Sequence, residues 1–388
     1  MEDRLRPVSR AGPVAAGGRV APASFAQQRL WFLDQYMVSA PHAYNIPLAI
    51  RFRGLLEEGA LKRTLDEIIQ RHEILRTTFV AHSGQPMQVI AAHLDPALSV
   101  TDLSHLPASD RDARAASLAR QEARQRFDLS QGPLLQAHLL RLAAEEHILL
   151  LTLHHIIADG WSVGVLQNEL STLYSAFSTD HPSPLPPLPI QYAQFAVWQH
   201  HHLQEKTLED QLNYWRSILT NDLEPLALPT DFPRPGSQTF NGAQFPITLP
   251  QDLVEALKAL GQEEGASLFI VLAAGFKTLL YRTSHQTDIT IGTPIANRTR
   301  PEIEPLIGPF ANTLVLRADL SGNPTVRELL RLPGAGRPAA RRAAGGKSLA
   351  PKPGPDLERG AGIVRCGGNW RDRAAHAFPW PGLSPFGP

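Results

Sequence analysis

The stretch "PLLQAHLLRLAAEEHILLLTLHHIIADGWSVGVLQNELSTLYSAF", residues 133–177, changes period partway along. Two leucine-rich runs, 133–142 and 147–155, flank a polar break at Ala143–Glu146 and predict two strands joined by a tight turn. From Trp161 onward the apolar residues recur at helical spacing, which predicts a helix over 161–177. His154, His155, Asp159 and Gly160 therefore fall on a strand-to-helix crossover, where α/β folds commonly place ligands and chemistry.

Adjacent strand residues point to opposite faces. One of the two histidines can face a cleft while the other packs away and supports it. A neutral imidazole, with an ordinary pKa of about 6.5, accepts a proton at neutral pH. Asp159, just past the strand, is placed to hold a buried arginine and fix the turn, and Gly160 removes a Cβ where a substrate passes close. Two plainer readings stand beside this one. A buried histidine pair is more often a satisfied core feature than a base. His155 and Asp159, four apart, also have the spacing of metal ligands, but 156–160 reads as a turn, no third ligand stands nearby, and His200–His202 read as a solvated helix face. No metal site is expected.

Outward from this stretch the pattern alternates strands and helices. Residues 24–36 predict a helix with Ser24 as N-cap, 43–54 a strand, 56–79 a helix turning into a strand, and 86–91 a strand. Residues 108–127 predict a polar-faced helix. The proline-rich "SPLPPLPIQY" (183–192) reads as a connector between two lobes. Helices are expected near 191–202, 207–219, 250–263 and 266–282, and strands at "FPITL" (245–249), 287–300 and 310–320. The expected fold class is α/β (α+β) and two-lobed.

Lys+Arg and Asp+Glu both number 37, for a net charge of zero. The balance hides a split: residues 333–388 carry nine basic and three acidic side chains, leaving that segment at +6 and the rest at −6. Nothing resembles a nucleic-acid footprint. The single cysteine, Cys366, permits no intrachain disulfide and no cysteine zinc site, which fits a reducing compartment. No apolar h-region opens the chain, and the densest apolar run, 268–276, is too short to span a bilayer. Cytoplasmic placement without membrane contact is the expectation. After Leu332 apolar periodicity vanishes and Gly and Pro make up 20 of 56 residues, which predicts a disordered segment. A shifted reading frame is one origin for so abrupt a change. The phosphate-loop-like Gly345–Ser348 lacks the motif's first glycine, since position 341 is Arg, and is set aside.

Five stretches, in order, resemble signatures of the condensation domains of nonribosomal peptide synthetases, within the chloramphenicol-acetyltransferase-like fold. They are "SFAQQRLWFL" (24–33), "RHEILRTTF" (71–79), "HHIIADGWS" (154–162), "YAQFAVWQ" (192–199) and "IGPFANTLVLR" (307–317). The resemblance covers about residues 23–332. Position 158 is Ala where the family often has Ser. A sixth signature, His-Gln-Asp followed by Pro-Phe-Glu, does not follow the helix near 324–332, so the resemblance implies an incomplete second lobe.

The resemblance implies a pseudo-dimer of α/β sandwiches with the active site between lobes. Domain boundaries follow from it: a linker over 1–22, an N-terminal lobe over 23–185, a partial C-terminal lobe over 186–332 and the aberrant segment 333–388. It implies that donor and acceptor peptidyl carrier proteins, in the company of adenylation domains, bring substrates on 4'-phosphopantetheine arms, with no cofactor bound directly. It places His155 at the attacking amine, as base or as hydrogen-bond partner of the tetrahedral intermediate, with His154 supporting. Asp159 is implied to pair with an arginine, Arg298 as first candidate and Arg76 as second. Asn312 lines the site or makes a plain strand-end hydrogen bond. The first signature and "AYNIP" (43–47) resemble the subtype taking an L-configured donor. Two alternatives stay open: an inactive fragment that at most docks carriers, and an ester-forming or free-standing acyltransferase on the same fold.

Overall fold

The structure is a computed structural model describing residues 18–36, 42–95, 98–219, 223–236, 243, 245–332 and 363–365. Its elements, in chain order, are β1 (Arg19–Pro22), α1 (Phe25–Tyr36), β2 (Asn45–Arg53), α2 (Glu58–Arg71), β3 (Thr77–His82), β4 (Gln85–Ile90), β5 (Leu98–Asp102), α3 (Ala108–Ala123), β6 (Leu135–Ala143), β7 (Glu146–His154), α4 (Gly160–Phe177), α5 (Tyr192–His202), α6 (Glu205–Ile218), α7 (Gln251–Glu263), α8 (Leu268–Ser284), β8 (Asp288–Ile295), β9 (Asn312–Asp319), α9 (Val326–Arg331) and β10 (Ile363–Arg365). Mixed α/β layers around separate sheets are what the sequence pattern predicts.

The largest sheet has the order β10-β2-β7-β6-β5. β7 lies inside it, antiparallel to both β2 and β6. Its unbroken leucine run reflects burial on both faces. Leu149, Leu151 and Leu153 enter the main core with Leu61, Leu65 and Ile68 of α2 and Leu166, Leu170 and Leu173 of α4. Ile148 and Leu150 enter a smaller core with Ala115, Leu118 and Ala119 of α3. Each fully buried leucine contributes about 1.5–3 kcal/mol, so the strand that ends at His154 is a stiff support. A second sheet, β1-β4-β3, and a third, β8-β9, complete the described strands. The β8-β9 pair has its own core: Ile289 and Ala318 pack with Val271, Ala274 and Leu280 of α8 and Leu329 and Leu330 of α9.

Residues beyond the proposed connector do not all stay with this smaller core. Ile190, Tyr192 and Phe195 around α5, and Ile303, Leu306, Ile307 and Phe310 before β9, are buried in the main core. The loop 303–310 thus leaves the β8-β9 unit and plugs into the larger one.

Several local expectations change. The end of the span expected as linker is strand β1, paired with β4 from Arg19↔Ile90 to Pro22↔Met87. The remainder, 1–17, lies outside the described residues. β5 is absent from the sequence reading because its five residues are mostly exposed and carry no clean alternation. "FPITL" forms no strand: Phe245 and Ile247 are exposed, no partner strand is present among the described residues, and Pro246 has no N–H to give a ladder. Within 333–388, Ile363–Arg365 forms β10, parallel to β2 with Ile363 opposite Arg51; the rest of the segment expected to be disordered lies outside the described residues. Among the described residues no single helix is long and apolar enough to cross a membrane.

Candidate active site

β7 delivers the two histidines to different environments. His154 is its last residue and is 0% exposed, with Phe127 edge-on at 6.0 Å and Tyr44 at 6.4 Å between ring centroids. Its Nδ1 accepts the Ile156 N–H at 3.1 Å. Burial, then the neighbouring His155, pushes its pKa down to about 3, so it stays neutral. Sealed from any cleft, it shapes the turn rather than exchanging protons with a ligand. His155 is different: of residues 151–159, it alone is not fully buried. Its backbone N–H donates to the Tyr44 carbonyl at 2.7 Å, fixing its main chain to the residue just before β2. Its Nδ1 is buried without a partner among the described residues.

Four residues on, Asp159 caps α4 and ties it to the incoming loop. One carboxylate oxygen accepts from the Ser162 N–H at 2.9 Å, the Ser162 hydroxyl at 2.7 Å and Arg298 Nη2 at 3.3 Å. The other accepts from the backbone N–H groups of Phe310 at 2.9 Å and Ala311 at 3.1 Å. Both oxygens are thus committed, and Asp159 is not free to ligate a metal with His155. The Asp159 and Arg298 side chains are each 1% exposed. Arg298 also donates through Nη1 to the carbonyls of Ile303 and, at 2.7 Å, Leu306, and its guanidinium lies 4.2 Å over the Phe310 ring. Burial pulls the Arg298 pKa down while Asp159 pulls it back up.

More groups fasten loop 303–311 to the main core. Trp161 Nε1 donates to the Glu304 carbonyl at 3.0 Å. Gly308 N–H donates to Ser162 Oγ at 3.0 Å. The Tyr192 hydroxyl donates to the Pro309 carbonyl at 2.9 Å and meets Ser24 Oγ at 2.8 Å. Gly308 is required by packing, since a Cβ there would meet the Tyr192 ring at 2.1 Å. His72 Nδ1 accepts from Ile307 N–H at 3.4 Å, which leaves its Nε2–H to donate to Glu169 at 2.8 Å; Arg71 Nε donates to the same carboxylate at 2.9 Å. Burial pushes the Glu169 carboxyl up, but the bonds from His72 and Arg71 outweigh it and hold it below the ordinary glutamate range.

The structure therefore brings His154, His155, Asp159, Gly160 and Arg298 together. Gly160 is the first residue of α4 and exposed, and it needs no left-handed backbone. Arg76 is elsewhere: half-buried, it donates to the Ala91 carbonyl at 2.6 Å and ties the turn after α2 to the end of β4. Asn312 opens β9, exposed, with its side-chain oxygen accepting from the Thr313 N–H at 2.9 Å. Sequence reading assigned no role to Gln27, Ser162, Glu169 or Tyr192. Gln27 is 0% exposed and its amide donates to the Ile156 carbonyl at 3.3 Å, bracing the turn after His155. The available signal was a polar residue on an apolar face: Glu169 lies between Leu166, Leu170 and Leu173 on the buried side of α4.

Comparison with known proteins shows the family. The family model for a condensation domain matches residues 18–334. A linear gramicidin synthase from Brevibacillus parabrevis is 50% identical over 329 residues, which is 85% of this chain and 6% of that protein. The X-domain from teicoplanin biosynthesis superposes with a TM-score of 0.75 at 29% identity, over 84% of this chain and 70% of that one. The first condensation domain of the calcium-dependent antibiotic synthetase, solved with a substrate analogue, gives 0.65 at 22% identity over 80% and 72% of the two chains, a likeness of fold. The chain spans a small fraction of the gramicidin synthase's length.

Proposed function

Since the chain belongs to the condensation-domain family, we propose that it forms a peptide bond in nonribosomal peptide biosynthesis, joining an acyl group on one carrier-protein arm to the amino group of an amino acid on a second. The amine nitrogen attacks the thioester carbonyl, the C–N bond forms, the C–S bond breaks, and the amine proton ends on the departing thiolate. A thioester is already activated, so the protein's main tasks are to orient two tethered reactants and to handle that proton. His155 does the second, as base or as hydrogen-bond partner of the tetrahedral intermediate. A positioned base contributes roughly 10²–10⁴-fold. Asp159 and Arg298 hold the turn and the 303–311 loop and take no part in proton transfer.

The observation that carries this reading is the contrast within one short segment. Of residues 151–159 His155 alone is not fully buried, and it stands beside the clamp that joins the two cores. We assign residues 23–185 and 186–332 to the two lobes, the partners to donor and acceptor carrier proteins with neighbouring adenylation domains, and the donor to the L series on the strength of "AYNIP" (43–47). The test is incubation with two carriers, each bearing a phosphopantetheine-linked aminoacyl group. Amide product with an L-donor and little with its D-epimer is expected. Ester product with a hydroxyl acceptor but no amide would move the reading to the ester-forming variant.

A second reading, docking without chemistry, is favoured by one feature. Phe269, Leu272, Phe276 and Leu279 form an exposed apolar stripe along α8. Cooperative melting with no product from loaded carriers would support it.

A further inference from the structure

Three polar atoms beside the histidine turn suggest how it is held. His154 Nδ1 accepts the Ile156 N–H, so in the neutral ring the proton sits on Nε2 and must be donated. That Nε2 is buried and has no hydrogen-bond partner among the described residues; Asp34 Oδ1, reaching in from α1, is 3.9 Å away. Asn45 is the register partner of His154 across β2 and β7, so the two side chains share one face of the sheet. Asn45 gives its amide protons to the Ala123 and Gln125 carbonyls at 2.9 and 2.7 Å, which leaves its Oδ1 buried and without a partner among the described residues. One buried donor thus has a carboxylate oxygen 3.9 Å away, and the residue paired with it across the sheet carries a buried acceptor with no partner among the described residues. A gap of 3.9 Å is too long for a direct bond and suits one bridging water, which needs two to four polar partners.

We infer that Asp34 is a positioning residue: its carboxylate, through one ordered water shared with Asn45 Oδ1, accepts the Nε2–H of His154 and locks the tautomer that holds the Ile156 N–H and the turn bearing His155. The alternative tautomer would place a proton on Nδ1, against the Ile156 N–H, and release the residue that follows His155. Gln27 braces the same turn from the other side through the Ile156 carbonyl, so losing the Asp34 link loosens one of two fastenings and leaves the fold standing. The other charged groups near Asp34 are Arg126 and Asp128, and Gln35 Nε2 approaches its second oxygen at 3.4 Å. The importance of this link rests on the role proposed for His155, but the link can be observed without turnover.

The experiment uses the full chain with ¹⁵N-labelled histidine, His154 being identified by comparison with His154→Gln. Long-range ¹H–¹⁵N correlation reports which ring nitrogen carries the proton, and amide exchange reports on the Ile156 N–H. Expected in the wild type are a protonated Nε2 that exchanges slowly and a protected Ile156 N–H. Asp34→Asn keeps an acceptor oxygen and should match the wild type. Asp34→Leu removes it and should speed exchange at both positions at least tenfold, with the melting midpoint and the His72 signals unchanged. The inference is overturned if the wild-type His154 carries its proton on Nδ1, a result that needs no variant to fold. It is equally overturned if Asp34→Leu leaves both exchange rates at the wild-type value, or if Asp34→Asn behaves like Asp34→Leu.

Discussion

Removing the Asp159 carboxylate should cost the fold more than any other single change near the histidines. Asp159→Ala deletes an acceptor that takes five hydrogen bonds, two of them from Phe310 and Ala311 N–H and one from Arg298. What remains is a guanidinium whose side chain is 1% exposed and which has lost its hydrogen-bonded carboxylate, with only the weaker pull of Glu304 left to offset its charge. Breaking a buried pair in this way costs about 3–5 kcal/mol, because a desolvated charge is left alone. The lost N-cap adds about 1 kcal/mol that is not independent of the first figure. Against a net stability of about 5–15 kcal/mol, this is a large share. Urea denaturation followed by tryptophan fluorescence measures it, and Trp161, bonded to Glu304 beside the clamp, makes the signal sensitive to that region. The double variant Asp159→Ala/Arg298→Met supplies the control. With the stranded charge gone, it should recover part of the loss and be more stable than Asp159→Ala alone. An unchanged midpoint in Asp159→Ala, or a double variant that loses the sum of both single effects, refutes the clamp.

Other outcomes follow from the same contacts. His154 is held neutral to a pKa of about 3, against about 6.5 in an unfolded chain. Its contribution is therefore complete above pH 6.5 and declines as pH falls toward 3, by up to about 1.4 kcal/mol per unit and about 2 kcal/mol by pH 5. Urea midpoints taken from about pH 7 to 4 should slope less steeply for His154→Gln than for the wild type; equal slopes contradict the assignment. Gly308→Ala pushes a Cβ to 2.1 Å from the Tyr192 ring and should cost about 3 kcal/mol, at the upper end of overpacking effects. Tyr192→Phe removes the donor to the Pro309 carbonyl and leaves the Ser24 hydroxyl with only the Gln27 N–H as partner, and should cost about 1–3 kcal/mol by thermal melting.

The sequence carries the fold where residues are buried on a regular period. The leucine runs of β6 and β7 and the helical spacing of α2 and α4 are visible because each side chain meets a fixed core. Elements defined by pairing rather than burial are not visible: β5 and β1 are short edge segments, and "FPITL" alternates correctly yet finds no partner among the described residues. The site divides the same way. His155 and Asp159 stand out because polar residues close an apolar strand. Arg298 could be named as a partner only by resemblance, since no local pattern links positions 139 residues apart. Gln27, Tyr192 and the His72–Glu169 pair act through tertiary contacts to the histidine turn and the loop that meets it; a polar residue among the leucines of α4 marks Glu169 as unusual, but no local pattern names its partner.

The most direct test of the central claim is the single-turnover rate of amide formation between two loaded carriers, compared for the wild type and His155→Ala at matched melting midpoints. The account predicts a fall of at least about 10²-fold with no loss of fold. Amide formation that continues undiminished without the His155 imidazole would contradict it.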